Sequence, residues 1–303
     1  MISLKQIHYA LAVEKTLHFK RAAEACSVSQ SALSTALTEL EKQLGFQIFE
    51  RDNKKVLVTP LGEQFLEKAR SIKTQVDELY QLAEAQRKPL SSPIKLGVIP
   101  TIGPYLLPKV LPALRESYPD LPITLYEDQS HVLVDMVRSG EIDTAILALP
   151  FPTEGLLTFE FWQEDFYWVT HRDDPLAQQK EIKSSEIEPS KLMLLKDGHC
   201  LKDHTLAACK LSPATNATQL NSTSLNTLIQ MVAGKMGSTF VPQMAIDQLI
   251  SENSQLRAVH LDEAGPHRRI AFIARPNYAG VNSIELLMKL FREQLKTHCS
   301  QAK

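Results

Sequence analysis

Residues 19–66 read FKRAAEACSVSQSALSTALTELEKQLGFQIFERDNKKVLVTPLGEQFL, and the order of elements in this stretch decides the first domain. A short helix over about residues 20–25 runs into Ser27-Val28-Ser29, and Ser29 is placed to cap a further helix with Leu33, Leu37, Leu40 and Leu44 on its apolar face. With the earlier stripe Leu4, Ile7, Ala10, Leu11 and Val13, two helices joined by a three-residue turn describe a helix-turn-helix. Opposite the leucines stand Gln30, Ser31, Ser34, Thr35 and Thr38, short polar groups able to reach base edges or phosphate. The apolar runs 46–51 and 56–58 then flank a polar turn, a β-hairpin wing that presents Arg51, Lys54 and Lys55 to a backbone. Each piece alone fits an ordinary bundle or surface hairpin; their order favours DNA binding.

The 303 residues are too many for one small domain, and 44% apolar with 22% charged composition is that of ordinary globular chains. Net charge is −2 overall, but residues 1–58 hold eight bases against six acids, a local +2. Charge therefore supports nucleic-acid binding only weakly, and pattern carries the argument. MISLKQIHYALAVEKTLHF lacks a basic cap followed by an apolar run, and charges interrupt every later apolar run before 18 residues. A cytoplasmic protein without a membrane span is expected. In that compartment Cys26, Cys200, Cys209 and Cys299 are poor material for a structural disulfide framework.

Thr59 can cap and Pro60 can open a helix that continues to about Arg87, roughly 40 Å long. Along it Phe65, Ala69, Ile72, Val76, Leu79 and Ala83 alternate by four and three residues, the spacing of a narrow seam for a second copy of the same helix. Packing against its own sensor domain is the bland alternative. Lys88-Pro-Leu-Ser-Ser-Pro93 stops the helix. The expected domains are 1–58 (winged helix-turn-helix), 59–88 (linker and dimerisation helix) and 89–303 (regulatory domain).

Beyond the break, strands at 94–99, 123–126 and 144–149 alternate with helices near 105–117 and 132–139, the pattern of a parallel sheet wrapped by helices. Further strands are expected at 166–169, 193–195, 239–241 and 269–273, with helices near 225–233 and 281–296. About two hundred residues of this kind make two α/β lobes. Thr101 follows the first strand and Ser130 follows a later loop, each opening a helix where ligands gather in such sheets. Plain helix capping explains both equally well.

Cys200 and Cys209 stand nine residues apart in Gly198-His-Cys200-Leu-Lys-Asp-His-Thr-Leu-Ala-Ala-Cys209. No common zinc spacing fits them, no metal site is expected, and two small buried hydrophobes are the ordinary reading of such a pair.

Residues 19–66 resemble the N-terminal module of LysR-type transcriptional regulators, with Ser31 where that family often carries proline. The stretches IPTIGPYLLP, LMLLKDGHCLKDHTLAAC and SLNTLIQMVAGKMGSTFVP resemble the peroxide-sensing members of that family. The resemblance implies an α/β fold with an N-terminal winged helix-turn-helix, a long linker helix and a two-lobed sensor domain like that of periplasmic binding proteins. Lobe I would hold about 94–164 and 269–303, and lobe II about 165–268. It implies a peroxidatic Cys200, a resolving Cys209, and a peroxide pocket of Thr101, Ser130, His199, Asp203 and Arg269, with Ser130 where threonine is expected. Ser29, with the helix and wing residues named above, would meet DNA. No cofactor is implied. The implied partners are double-stranded promoter DNA, a second copy in a dimer and a dimer of dimers, hydrogen peroxide as signal, RNA polymerase and a thiol reductant.

Chemistry agrees with those roles: a helix N-terminus and Lys202 would favour the Cys200 thiolate, and a sulfenic acid condenses with a second thiol. A helix over 200–209 would set the sulfurs about 13 Å apart along its axis and on opposite faces. A disulfide needs Cα atoms within about 7 Å, so the helix must unwind. Two other readings compete: a LysR-type regulator that binds a small organic anion between the lobes, and a thiol peroxidase or solute-binding protein on the same lobes. The helix-turn-helix argues against the second.

Overall fold

The computed structural model describes residues 1–52, 55–85, 90–211, 218–222, 224–250 and 255–301, and the chain divides into two units, Met1–Glu84 and Ala85–Lys303. In the first, α1 (Leu4–Thr16) starts on a capping box in which Ser3 and Gln6 exchange side-chain and backbone bonds. Helices α2 (Phe19–Ala25) and α3 (Gln30–Leu44) follow, with Ser29 Oγ accepting from Ala32 N at 3.2 Å. Leu33, Leu37 and Leu40 are fully buried against Val13, Ala22 and Ile48, so the leucine stripe is the core face it was expected to be.

The wing consists of β1 (Phe49–Asp52) and β2 (Lys55–Val58), antiparallel from Phe49↔Val58 to Asp52↔Lys55. It is shorter than the apolar run from Phe46 suggests. Glu41 Oε1 accepts from Ile48 N (2.9 Å) and Phe49 N (3.1 Å), and the hydrogen bonds spent on this brace start the hairpin at Phe49. Helix α4 (Pro60–Ala85) begins where Thr59 Oγ1 accepts from Gly62 N at 2.8 Å. A Cβ on Gly62 would stand 2.2 Å from the Ile48 carbonyl oxygen, so only glycine permits this approach of helix and wing. The expected seam divides. Ala69 is buried with Leu66, and Phe65 packs beside the module's core, whereas Ile72 and Leu79 are 39% and 66% exposed and Val76 is half-buried. The Ala83 side chain lies outside the described residues.

The second unit runs β3 (Ile94–Val98), α5 (Gly103–Ser117), β4 (Ile123–Glu127), α6 (Ser130–Ser139), β5 (Thr144–Leu149) and β6 (Leu157–Glu164). It continues through β7 (Phe166–His171), β8 (Glu181–Ile182), β9 (Met193–Leu195), α7 (Cys200–Ala208), β10 (Thr218–Ser222) and α8 (Leu225–Ala233). It closes with β11 (Thr239–Pro242), α9 (Ile246–Leu249), β12 (Leu256–Leu261), β13 (Arg268–Ala274) and α10 (Val281–Gln301).

One sheet has the order β4-β3-β5-β13-β6 and the other β11-β7-β12-β8, with β9 and β10 paired apart. The two lobes are present, but the expected parallel sheet is parallel only across β4, β3 and β5; β13 and β6 join it antiparallel. The chain leaves the first sheet after β6 and returns at β13, whose residues 270–274 are fully buried between β5 and β6.

Candidate functional site

On α3 the side chains of Gln30, Ser31, Thr35 and Thr38 are exposed, Ser29 before them is exposed, and Ser34 is half-buried. Thr38 Oγ1 donates to the Ser34 carbonyl at 2.9 Å, and Ser29 and Ser31 hydroxyls lie 3.1 Å apart. Lys55 is exposed at the start of β2. The Arg51 side chain and Lys54 lie outside the described residues. The first unit thus presents one polar helix face and, on the hairpin, the exposed Lys55, with the leucines turned inward.

In the second unit α7 starts at Cys200 and Cys209 is its C-cap. Both are free thiols and both are buried, at 5% and 4% exposure. The sulfurs of such a helix cannot meet while it stays wound. Gly198, two residues before Cys200, has φ +94°, and a Cβ there would stand 2.5 Å from Gln129 Oε1. A left-handed glycine therefore lets the entry to α7 press against the loop before α6.

That contact brings Ser130, the first residue of α6, beside Cys200. Ser130 is 2% exposed, and its hydroxyl helps to hold the Cys200 pKa down. The same hydroxyl makes no hydrogen bond of ordinary geometry to any described residue. Burial is the larger influence and pushes the Cys200 thiol up; the Arg268 guanidinium and Ser130 oppose it, and Asp203 adds to it. The Cys209 thiol is pushed up to about 12 by burial and, secondarily, by Glu263.

Arg268, not Arg269, is the arginine of this site. Successive strand residues point to opposite faces, and β13 turns Arg269 outward onto Glu160, 2.7 Å away and 42% exposed. Arg268 turns inward, with Nε donating to Glu164 Oε1 (2.6 Å), one terminal nitrogen to the Thr101 carbonyl (3.1 Å) and the other to Thr101 Oγ1 (3.3 Å). Glu164 Oε2 in turn accepts from Met244 N at 2.8 Å. Thr101 is buried, but it sits in the turn before α5 instead of opening the helix, and its hydroxyl serves Arg268 and not the helix end.

His199 is buried at the N-cap position of α7 without a side-chain capping bond, and burial, with Lys196, lowers its pKa. Asp203 stands on the exposed side of α7 and reaches the thiol only electrostatically. Lys202 pairs with Asp197 at 2.5 Å, so Arg268 and not Lys202 is the cation acting on Cys200. Among the described residues no group of His, Cys, Asp and Glu could hold a metal, and no helix is long and apolar enough to cross a membrane. Cys26 is half-buried against the core of the first unit, and the Cys299 side chain lies outside the described residues.

The chain matches two family models, "Bacterial regulatory helix-turn-helix protein, lysR family" over residues 4–63 and "LysR substrate binding domain" over residues 87–296. The HTH-type transcriptional regulator EstR of Acinetobacter baylyi is 34% identical, covering 96% of each chain. The DNA-binding transcriptional dual regulator OxyR of Escherichia coli is 33% identical over 98% of this chain and 97% of its own. Among solved structures, full-length OxyR from Pseudomonas aeruginosa superposes with a TM-score of 0.81 at 34% identity, over 96% of this chain and 95% of that one. A hydrogen-peroxide-bound mutant OxyR of Corynebacterium glutamicum gives 0.67 at 32% identity, over 97% and 93%.

Proposed function

The chain belongs to the LysR family of transcriptional regulators, and from that premise we propose that it is a peroxide sensor whose DNA binding is switched by a reversible Cys200–Cys209 disulfide. Relatives named for peroxide-inducible activation and a peroxide-bound neighbour support this reading; EstR is equally similar, so family alone does not choose the signal. The thiol site does. The observation that carries the reading is Cys200 at the first position of α7, within the field of Arg268 and beside the buried Ser130 hydroxyl, the two groups that oppose the effect of burial on its thiol.

A small neutral molecule with two donors and two acceptors suits that hydroxyl, and Arg268, held by Thr101 and Glu164, acts on the same thiol. The Cys200 thiolate attacks one peroxide oxygen, the O–O bond breaks, and hydroxide leaves to become water with the thiol's proton. Cys200 then carries a sulfenic acid, which the Cys209 thiol displaces as water to close the disulfide. The signal is consumed stoichiometrically, so the protein is a regulator and not an enzyme. An organic anion is a poorer occupant, because Glu164 already neutralises the buried guanidinium. Closing the bond unwinds α7, and the change in packing passes through the oligomer to the spacing of the recognition helices on promoter DNA.

The stripe of exposed Ile72 and Leu79 with half-buried Val76 between them supports pairing of two chains, and a two-fold site then meets two α3 helices. Dimers of dimers, a cytoplasmic location, contact with RNA polymerase and reduction by a cellular thiol belong to the same reading. Its test is trapping. After one equivalent of peroxide, C209S should accumulate a sulfenic acid that a cyclic 1,3-dione captures at residue 200, and C200S should accumulate none. Equal capture in both variants would remove Cys200 from the role.

A further inference from the structure

The helix that carries Cys200 is held by a second group, His204. It lies one turn after Cys200 on the same face of α7 and is 4% exposed. Its Nε2 is 2.9 Å from the Pro150 carbonyl, immediately after β5. A carbonyl only accepts, so Nε2 carries the hydrogen and donates. The neutral ring then presents Nδ1 as a bare lone pair, and Nδ1 is buried with no hydrogen-bond partner among the described residues.

We propose that His204 is the positioning residue that latches α7 in the reduced state, and that acid loosens the latch because a second ring proton has no acceptor there. The consequence for signalling rests on the disulfide switch proposed above. Protonating Nδ1 would create a buried donor without a partner and a second positive charge near Arg268 of β13. The Pro150 carbonyl and Asp203 of α7 favour the charged ring, but burial outweighs them and holds the pKa below the ordinary histidine value.

Once α7 unwinds, the ring reaches water and titrates near the ordinary pKa of about 6.5. The docked value is the lower of the two, so the latch is complete above about pH 6.5 and weakens as pH falls below it. For a group of that released pKa, the unwound form gains at most about tenfold between pH 7.5 and pH 5.5. Disulfide formation, which needs the unwound helix, gains by the same factor relative to a latch that cannot titrate.

Hydrogen exchange of the reduced full chain, followed by mass spectrometry at pH 7.5 and 5.5, tests this without peroxide. H204Q keeps an amide donor for the Pro150 carbonyl but cannot take the proton; H204A loses both. Corrected for intrinsic exchange, protection over residues 200–208 should fall several-fold in the native protein at the lower pH. The fall should be smaller in H204Q, where the buried His199 at the N-cap of α7, its own pKa lowered, is left to take up a proton on release. In H204A protection should be low at both pH values while α8 and β11 remain protected. An H204Q protein that follows the native pH dependence, or an H204A protein as protected as the native one at pH 7.5, overturns the latch. Neither result bears on whether peroxide is the signal.

Discussion

Arg268 and Glu164 form an ion pair with neither side chain exposed, Nε to Oε1 2.6 Å, and the thiol of Cys200 lies within the field of its guanidinium. Removing either partner leaves the other charge buried, which costs about 3–5 kcal/mol in comparable pairs. The two losses act on the thiol in opposite directions. R268M removes the cation and should slow Cys200 oxidation at pH 7, whereas E164Q leaves the cation uncompensated and should speed it. Urea unfolding and stopped-flow peroxide kinetics on both variants check this; rates that move in the same direction would dissociate the pair from the thiol.

The Cys209 pKa of about 12 makes a stability prediction. The folded value lies above the ordinary 9.0, so its contribution is complete below pH 9 and is lost as pH rises toward 12. Reduced protein should lose at most about 1.4 kcal/mol per pH unit in that window from this group. Urea midpoints at pH 8, 9 and 10 should fall more steeply in the native chain than in C209A.

Aspartates at Ile72 and Val76 would place charge in the stripe assigned to pairing. The double variant I72D/V76D should sediment as a monomer and lose operator binding while its helix-turn-helix stays folded, because neither residue belongs to that module's core. A dimeric variant with normal binding would move the interface elsewhere.

Lys55 and Thr35 are both exposed, and as proposed DNA contacts on the wing and on α3 they differ in kind. K55A removes a phosphate contact and should lower the salt slope of log affinity by about 0.9 on specific and random DNA alike. T35A should weaken the specific site more than random sequence. Equal losses on both DNAs for T35A would leave α3 without a base-reading role at that position.

Much of this was legible in residue spacing. Leu33, Leu37 and Leu40 dictate which way α3 faces, and the nine residues from Cys200 to Cys209 dictate that the thiols start apart. Register was not. Two adjacent arginines at 268 and 269 look alike in sequence, and only the pairing of β13 with β5 and β6 decides which turns inward. Residues 157–164 form β6, a strand the sequence reading does not assign although Leu157, Phe159 and Phe161 alternate with Thr158 and Glu160; Glu164 is the partner that Arg268 needs. The role of His204 depends on the Pro150 carbonyl, 54 residues earlier, and no local pattern announces such a contact.

The most direct measurement maps the thiols and the DNA footprint on the same samples after a few equivalents of peroxide. The account predicts an intramolecular Cys200–Cys209 disulfide and, with it, a changed footprint, both reversed by dithiothreitol and both absent in C200S. Free thiols with a changed footprint, or a formed disulfide with an unchanged one, would contradict it.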